Sequence, residues 1–506
     1  MFVRKIQNRS GSVSVQIISK DSGRYRVFET IGTSKDAVEV EKLVAEAKDK
    51  INNPDNQIPM FSDLSETDLI IKNFLENMTN RQILTIGPEL IFGTLFDRIG
   101  FNIIKEKLFR HIVIARLVYP ASKLKTVDYL YRYRGIQMEV DTVYRFLDKL
   151  RDKYKETVER VAYEYTKRTL NGISVVFYDV TTLYFEAEDE DDLRKIGFSK
   201  DGKFQNPQIM LGLLVGQNGY PIGYNIFEGN TFEGHTLLPV LEGIQKKYGI
   251  NKPTVIADAA MLSKKNLDNL AKEKYQFIIG GRIKNESDEV QQEILKQVKG
   301  LEDGRNFILK KSDGTKLVVT YSDKRQRKDA HNRECGLLKL RQRVKGGKLT
   351  KESINNRGYN KFLALKGKIE VEIDEEKVKE DQKWDGLKGY ITNTRLSPKS
   401  IVENYRHLWQ IEKAFRISKT DLRIRPVYHY RRKRIEAHIC IAFVAYTIYK
   451  ELERILEKHN AGFSPKRAAE LTHNMYQLEY TLPHSKKKNK TLLKMDEEQK
   501  TLYSLI

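Results

Sequence analysis

Cysteine is nearly absent from this 506-residue chain. The two present, Cys335 and Cys440, lie 105 residues apart with no metal-type spacing, which excludes a disulfide scaffold and a zinc finger and fits a reducing compartment. Long apolar runs are missing too: the longest, Ile439 to Tyr449, has 11 residues and includes a Thr, whereas a membrane span needs about 20. Met1 to Ser14 lacks the apolar core of a signal peptide, so neither secretion nor a membrane partner is expected. No G-x-x-x-x-G-K-[ST] loop occurs, which removes support for ATP hydrolysis. The nine histidines show no H-x-x-x-H spacing, which disfavours zinc. Acidic residues are in deficit, 68 against 90 basic, for a net charge of +22. Such an excess repels itself without an anionic partner, so nucleic acid, polyphosphate or an acidic surface is expected.

What is present reads as a folded, multi-unit chain. The apolar share of 40% is normal for a globular protein, and the length predicts about three or four units. Residues 1–34 read as a β-hairpin, with Val13, Val15 and Ile17 alternating before a turn at Asp21-Ser22-Gly23. Residues 35–170 carry helical periodicity at Val38–Ile51, Gly87–Ile99, Ile104–Leu117, Ser122–Tyr133 and Asp141–Thr169. From 171 to 281 the order is β-β-β-α-β-α-β: a buried run Ile173–Tyr178 ends on Asp179, and Ile209–Val215 and Ile222–Phe227 flank the hairpin dipeptide Asn218-Gly219. A helix His235–Tyr248, a strand Thr254–Ala257 ending at Asp258, a helix Ser263–Lys272 and a strand Gln276–Gly280 complete that order. Residues 282–396 read as a β-rich insertion, with strands at Asn306–Lys310, Lys316–Tyr321, Lys361–Leu365 and Ile369–Ile373. A long amphipathic helix, Pro398 to about Asp421, and a buried helix, Ile435–Leu456, fill 397–460. The stretch 461–506 reads as a helix and a basic tail, disordered beyond Pro483.

Two groups of residues stand out chemically. Asp179 and Asp258 each follow a buried strand, and the carboxyl ends of strands in α/β sheets are where ligands gather; the alternative is a pair of helix caps or turn residues. Tyr405, Glu412 and Lys419 are spaced by seven on one helix, with Trp409 and Arg416 a turn either side of Glu412 and an apolar seam of Leu408, Ile411, Phe415 and Leu422 opposite. Taken alone, that stripe is an ordinary solvated face. The acidic run Glu186–Asp192 reads as a solvated loop. Asp179-Val180-Thr181 is similar to the start of a haloacid-dehalogenase phosphatase loop but lacks its second Asp.

In combination these features are specific. Tyr178-Asp179-Val180-Thr181-Thr182, Ala257-Asp258-Ala259-Ala260-Met261, and Tyr405 to Glu412 with Lys419, together with Gly229-Asn230-Thr231, Ile391-Thr392-Asn393-Thr394 and Arg425-Pro426-Val427-Tyr428-His429, resemble the DDE transposases of bacterial insertion sequences. The likeness is to the IS-four superfamily with its Tyr-Arg-Glu-Lys signature, and it extends over about 170–450. At one position the chain departs from the pattern: Leu408 stands where an Arg is usual, and Arg406 is expected to take over its phosphate contact. The resemblance implies an α/β fold in which a ribonuclease H-like core is interrupted by the β-rich insertion and preceded by the helical domain. It implies catalytic and metal-binding roles for Asp179, Asp258 and Glu412, with Asp179 bridging two Mg²⁺ ions, for which Mn²⁺ substitutes. Hard cations of this kind choose carboxylate oxygen and water, and two of them activate the attacking and the leaving oxygens of a phosphoryl transfer.

It implies DNA contacts from Tyr405, Arg406, Trp409, Arg416 and Lys419. Trp384 either receives a flipped base or is a core residue of the insertion. Residues 301–350 and 401–450 carry net charges of +8 and +7, a phosphate track around Glu412. The region 35–170 either reads the terminal inverted repeats or serves packing and dimerisation. The expected protein is a cytoplasmic, nucleoid-associated transposase, homodimeric on paired double-stranded DNA ends, that cleaves those ends and joins them to target DNA. The rivals are a ribonuclease H-like nuclease without strand transfer and a non-catalytic DNA-binding protein descended from a transposase.

Overall fold

The computed structural model describes residues 1–21, 24–52, 66–261, 263–346, 349–355, 358–366, 370–482 and 485–506. They form two compact units, Met1–Asn80 and Arg81–Ile506. In the first, β1 (Phe2–Gln7), β2 (Val13–Asp21) and β3 (Arg24–Ser34) make an antiparallel sheet in that order. The expected hairpin therefore has a third strand, whose mixed residues Arg4, Lys5 and Gln7 hide its period. The turn residues Ser22 and Gly23 lie outside the described residues. Helix α1 (Ala37–Asn52) lays Val40, Val44 and Ala47 on Val15 and Ile17. It thus belongs to the N-terminal unit and not, as expected, to the helical domain 35–170. Helix α2 (Glu66–Glu76) follows in the same unit.

The second unit opens with β4 (Ile83–Thr85) and the helices α3 (Thr94–Ile99), α4 (Lys107–Val118), α5 (Lys123–Arg134), α6 (Val140–Lys149) and α7 (Lys155–Thr169). Ser122 caps α5 by accepting a hydrogen bond from the Lys125 N–H. The helix expected over 141–169 is interrupted by a π-helical turn, Leu150–Tyr154. Next come β5 (Val175–Tyr184), β6 (Gln208–Val215), β7 (Pro221–Glu228), α8 (Leu237–Tyr248), β8 (Thr254–Ala257), α9 (Lys264–Lys272), β9 (Phe277–Gly281) and α10 (Asp288–Val298). This is the β-β-β-α-β-α-β order read from the sequence. The β6–β7 turn places Asn218 at φ 57° and Gly219 at φ 73°, the left-handed pair that Asn-Gly supplies at low cost.

The stretch 282–396 is less separate and less β-rich than expected. β10 (Asn306–Lys310), β11 (Lys316–Tyr321) and β14 (Leu387–Thr392) extend the central sheet, whose order is β10-β11-β14-β9-β8-β5-β6-β7. Between β11 and β14 the chain leaves the sheet as α11 (Asp323–Lys345), the hairpin β12 (Leu363–Lys366) and β13 (Glu370–Ile373), and α12 (Glu375–Gln382). Helix α11 buries only Arg333, Gly336, Leu337 and Leu340 of its 23 residues, so it shows no apolar period to read.

In the sheet β5, β8 and β9 are parallel to one another and the other pairings antiparallel. β6 is buried along its whole length, as a strand covered on both faces must be. One face, with Phe177, Leu183, Leu213 and Ile256, shares a core with α3–α7, α14 (Trp409–Arg416) and α15 (Arg432–Lys458). The other, with Val176, Tyr178, Val255 and Ile279, packs on α8, α9 and α10. The chain ends with α16 (Pro465–Thr472), β15 (Tyr476–Thr481), β16 (Lys488–Leu492) and α17 (Glu497–Leu505). The tail expected to be disordered beyond Pro483 is structured in its described residues: β16 pairs with β15, and α17 starts on an Asp496–Gln499 capping box. β15 itself pairs with β4, some 390 residues upstream, which no local pattern reveals. Among the described residues no helix is long and apolar enough to cross a membrane.

Candidate active site

β8 stops at Ala257, level with Tyr178 of β5, while β5 continues to Tyr184 because β6 keeps pairing with it, Asp179 opposite Leu213 and Tyr184 opposite Gln208. Asp179 therefore lies mid-strand, not at a strand end as expected, but beside the end of β8, where Asp258 follows. Alternation along β5 turns Asp179 to the same face as Phe177 and Leu183, the face that carries α14. The Lys200 ammonium lies 3.7 Å from the Asp179 carboxylate and 2.9 Å from that of Glu233, and donates to the Val180 carbonyl at 2.6 Å. Burial raises the Asp179 pKa, against the opposing pull of Lys200 and with help from Glu233 and Asp258, to about 6.

Asp258 is exposed. One of its oxygens accepts from the Ala259 N–H at 2.6 Å and from the Tyr405 hydroxyl at 3.3 Å. Tyr405, on α13 (Pro398–Arg406), is buried edge-on against Tyr390 with ring centres 4.9 Å apart. A β-carbon on Gly280 would come within 2.6 Å of its hydroxyl, so glycine on β9 makes room for this support. Burial and then Asp258 raise the Tyr405 pKa, keeping the phenol a donor. The Lys388 ammonium lies 4.4 Å from the Tyr405 ring centre; burial and Arg325 lower its pKa while Asp258 and Glu412 oppose them. Glu412 itself is exposed on α14. That helix is pinned by the Gly219 N–H donating to Gln410 at 3.2 Å and by a Lys413–Glu453 ion pair at 2.5 Å.

The single stripe expected over 405–419 does not form. The helix breaks at His407–Leu408 between α13 and α14, and a π-helical turn, Ile417–Asp421, follows, so a spacing of seven no longer returns to one face. Tyr405 faces inward on Asp258, and Lys419 is sheltered, both oxygens of Asp201 lying 3.1 Å from its ammonium. Arg406, Trp409 and Arg416 are exposed, and the expected seam of Leu408, Ile411, Phe415 and Leu422 is buried. Trp384 is half-buried at a cleft of about 840 Å³ that also takes in Asp258, Tyr405, Lys388, Arg325 and Arg333. Among the described residues no three acidic, His or Cys side chains stand close enough to cage one ion. Asp179 and Asp258 adjoin across two neighbouring strands, and Glu412 shares with Asp258 its influence on Lys388.

Residues 170–448, more than half of the chain, match the family described as a transposase DDE domain. The chain belongs to the DDE transposases. No curated protein matches it. The transposase is similar to a cryo-EM structure described as the piggyBac transposase synaptic complex with hairpin DNA, at 11% identity and a TM-score of 0.38 over 72% of this chain and 69% of that one.

Sequence reasoning missed Lys200, Asp201, Glu233 and Lys388, which lie on loops or on an inserted strand and carry no periodicity. Glu233 alone had a nearby signal, the block Gly229-Asn230-Thr231. There a β-carbon on Gly229 would come within 2.1 Å of the Gln208 carbonyl, so glycine lets the chain beside Glu233 pass under the β5–β6 connection. Another quoted block proves to be a sheet pin, the Asn393 side chain bonding the Phe277 N–H at 2.9 Å and the Tyr275 carbonyl at 2.8 Å. In the acidic run, Asp191 holds Arg194 and Asp192 holds Arg432.

Proposed function

We propose that this transposase is of the IS-four superfamily type and moves an insertion sequence by binding its terminal inverted repeats, cleaving its DNA ends and joining them to target DNA. The observation that carries the reading is the placing of Asp179 and Asp258 on adjoining strands, with Asp258 and Glu412 both favouring the charged form of one lysine, Lys388. The strand order β7-β6-β5-β8-β9, with only the last three parallel, supports a ribonuclease H-like core.

All three candidate ligands offer hard oxygen, and a divalent cation would favour the ionised form of Asp179, which burial first and then Glu233 and Asp258 disfavour. Asp179, Asp258 and Glu412 would hold two Mg²⁺ ions, or Mn²⁺ in their place. Such ions, when bound, supply Lewis acidity to the attacking and leaving oxygens. The chain's own part is to hold the carboxylates and the DNA: Tyr405 orients Asp258, and Arg406, Trp409, Arg416 and Lys419 grip phosphates, with Trp384 at the cleft beside them. The Tyr-Arg-Glu-Lys signature is then read as Tyr405, Arg406, Glu412 and Lys419.

Asp179→Ala, Asp258→Ala and Glu412→Ala each abolish end cleavage in Mg²⁺ and leave end binding largely intact, because ligands to metal act on the chemistry whereas phosphate contacts set affinity. Gel assays of cleavage and binding on one labelled end duplex check this. A variant that cuts at near-normal rate removes its residue from the triad, and intact binding by a wild-type chain that never cuts favours the non-catalytic rival.

A further inference from the structure

The turn Ser199–Gly202, between β5 and β6, carries two adjacent charges that reach opposite ways. Lys200 goes to Asp179, Glu233 and the Val180 carbonyl. Asp201 goes to Lys419, at 3.1 Å from each oxygen, and to Arg425 at 3.3 Å. Asp201 and Lys419 side chains are each only 12% exposed. The turn is itself fixed. Ser199 is buried and accepts from the backbone N–H groups of Asp201 at 3.3 Å and Lys203 at 3.1 Å. The Lys200 N–H donates to the Thr182 hydroxyl at 3.1 Å, and Gly202 takes a left-handed φ of 73°, which glycine adopts without strain.

We propose that Lys200 and Asp201 are positioning residues for strand cleavage: Asp201 assembles Lys419 and Arg425 into one phosphate grip, Lys200 steadies Asp179, and the turn sets the spacing between grip and cleavage edge. This rests on the transposase reading above. A free lysine loses rotamer freedom when it is ordered on a phosphate; Asp201 imposes that order before DNA arrives. The triad of one carboxylate and two cations keeps a net positive charge, and both cations retain unused donors, since an ammonium has three and a guanidinium five. The opposite role, a latch in which Asp201 occupies the place of a DNA phosphate, requires a pair that opens readily. Shelter from solvent and a turn held by three hydrogen bonds argue against that, because separating a sheltered ion pair leaves two desolvated charges.

The two roles differ in the sign of one measurement. Asp201→Asn keeps the side-chain shape and removes a negative charge from a basic surface, so bulk electrostatics and the latch both call for tighter DNA binding. Positioning calls for end binding weakened about tenfold, with the slope of log K against log salt reduced by about 0.9 as one phosphate contact is lost, and for partial recovery in Asp201→Glu. Fluorescence anisotropy of the full-length chain on an end duplex at several salt concentrations reads both quantities; unchanged or tighter binding overturns the Asp201 role. For Lys200→Met, single-turnover cleavage of bound DNA falls about tenfold or more with end affinity unchanged, and Lys200→Arg restores part of it. No loss of rate, or a matching loss of affinity, overturns the Lys200 role. A wild-type chain that neither binds nor cuts the duplex overturns the transposase reading itself. With both present in the wild type, the variants report on the turn alone.

Discussion

Burial of the Asp179 carboxylate carries a cost in stability that depends on pH. Its pKa is raised to about 6 from 3.8, so between those values the folded chain binds more protons than the unfolded one. The favourable contribution is complete below about 3.8 and is lost as pH rises through about 6; above that, the ionised carboxylate lowers stability by on the order of 2–3 kcal/mol. Asp179→Asn should therefore stabilise the chain by about 2 kcal/mol at neutral pH, in chelator, while ending cleavage. Urea unfolding of both proteins at pH 4 and pH 7 checks this, with the gain small at the lower value and nearly complete at the higher.

At the scale of elements, α4, α5 and α15 meet over a group of buried bases. Arg116, Lys123, His429 and His438 are all less than a tenth exposed. Arg116 reaches the carbonyls of Leu422 and Arg423 at 3.4 and 3.3 Å, and His438 bonds that of Ile424 at 2.9 Å. Burial, then Lys123 and Arg116, lower the pKa of His429 to about 3, with Arg434 acting the same way and Asp148 opposing. His438 is lowered by burial and the same two cations. Both histidines are thus folded neutral. Because the unfolded chain takes up protons first, their contribution is intact above about pH 6.5 and is lost as pH falls below it, by roughly 2–3 kcal/mol per unit for the two together. Unfolding free energies at pH 7, 6 and 5 should show that slope, and His429→Phe should about halve it.

For the whole molecule the charge of +22 decides how copies meet. Protomers alone repel one another, and DNA removes that penalty by neutralising the basic surface. We therefore expect a monomer or weak dimer in solution and a complex of two protomers on two ends with DNA, in accord with the proposed homodimer. Light scattering with and without an end duplex tests this; a stable higher oligomer without DNA, or one protomer per end pair, would sink it.

Much of the site was legible in the residues themselves. Asp179 and Asp258 stand after apolar runs that are strands because both sheet faces are covered, and Asn218-Gly219 marks a turn whose dihedrals few other residues tolerate. These are local signals, carried by periodicity and backbone freedom, and so were most of the elements around them. Helix α11, polar along most of its surface, showed none. The pairing of β15 with β4 and the extension of the sheet by β10, β11 and β14 join segments that are strangers in sequence. The same holds within the site. The break at His407–Leu408 and the π-turn after Arg416 turned an apparent stripe into an inward tyrosine, an exposed glutamate and a sheltered lysine, and Lys200 and Asp201 found their partners only through folding. Sequence by itself determined which residue types and which strands could bear the chemistry, because those follow from local backbone and burial preferences. Tertiary structure decided which charges face one another, because Coulomb pairing and desolvation act through space and leave no period in the chain.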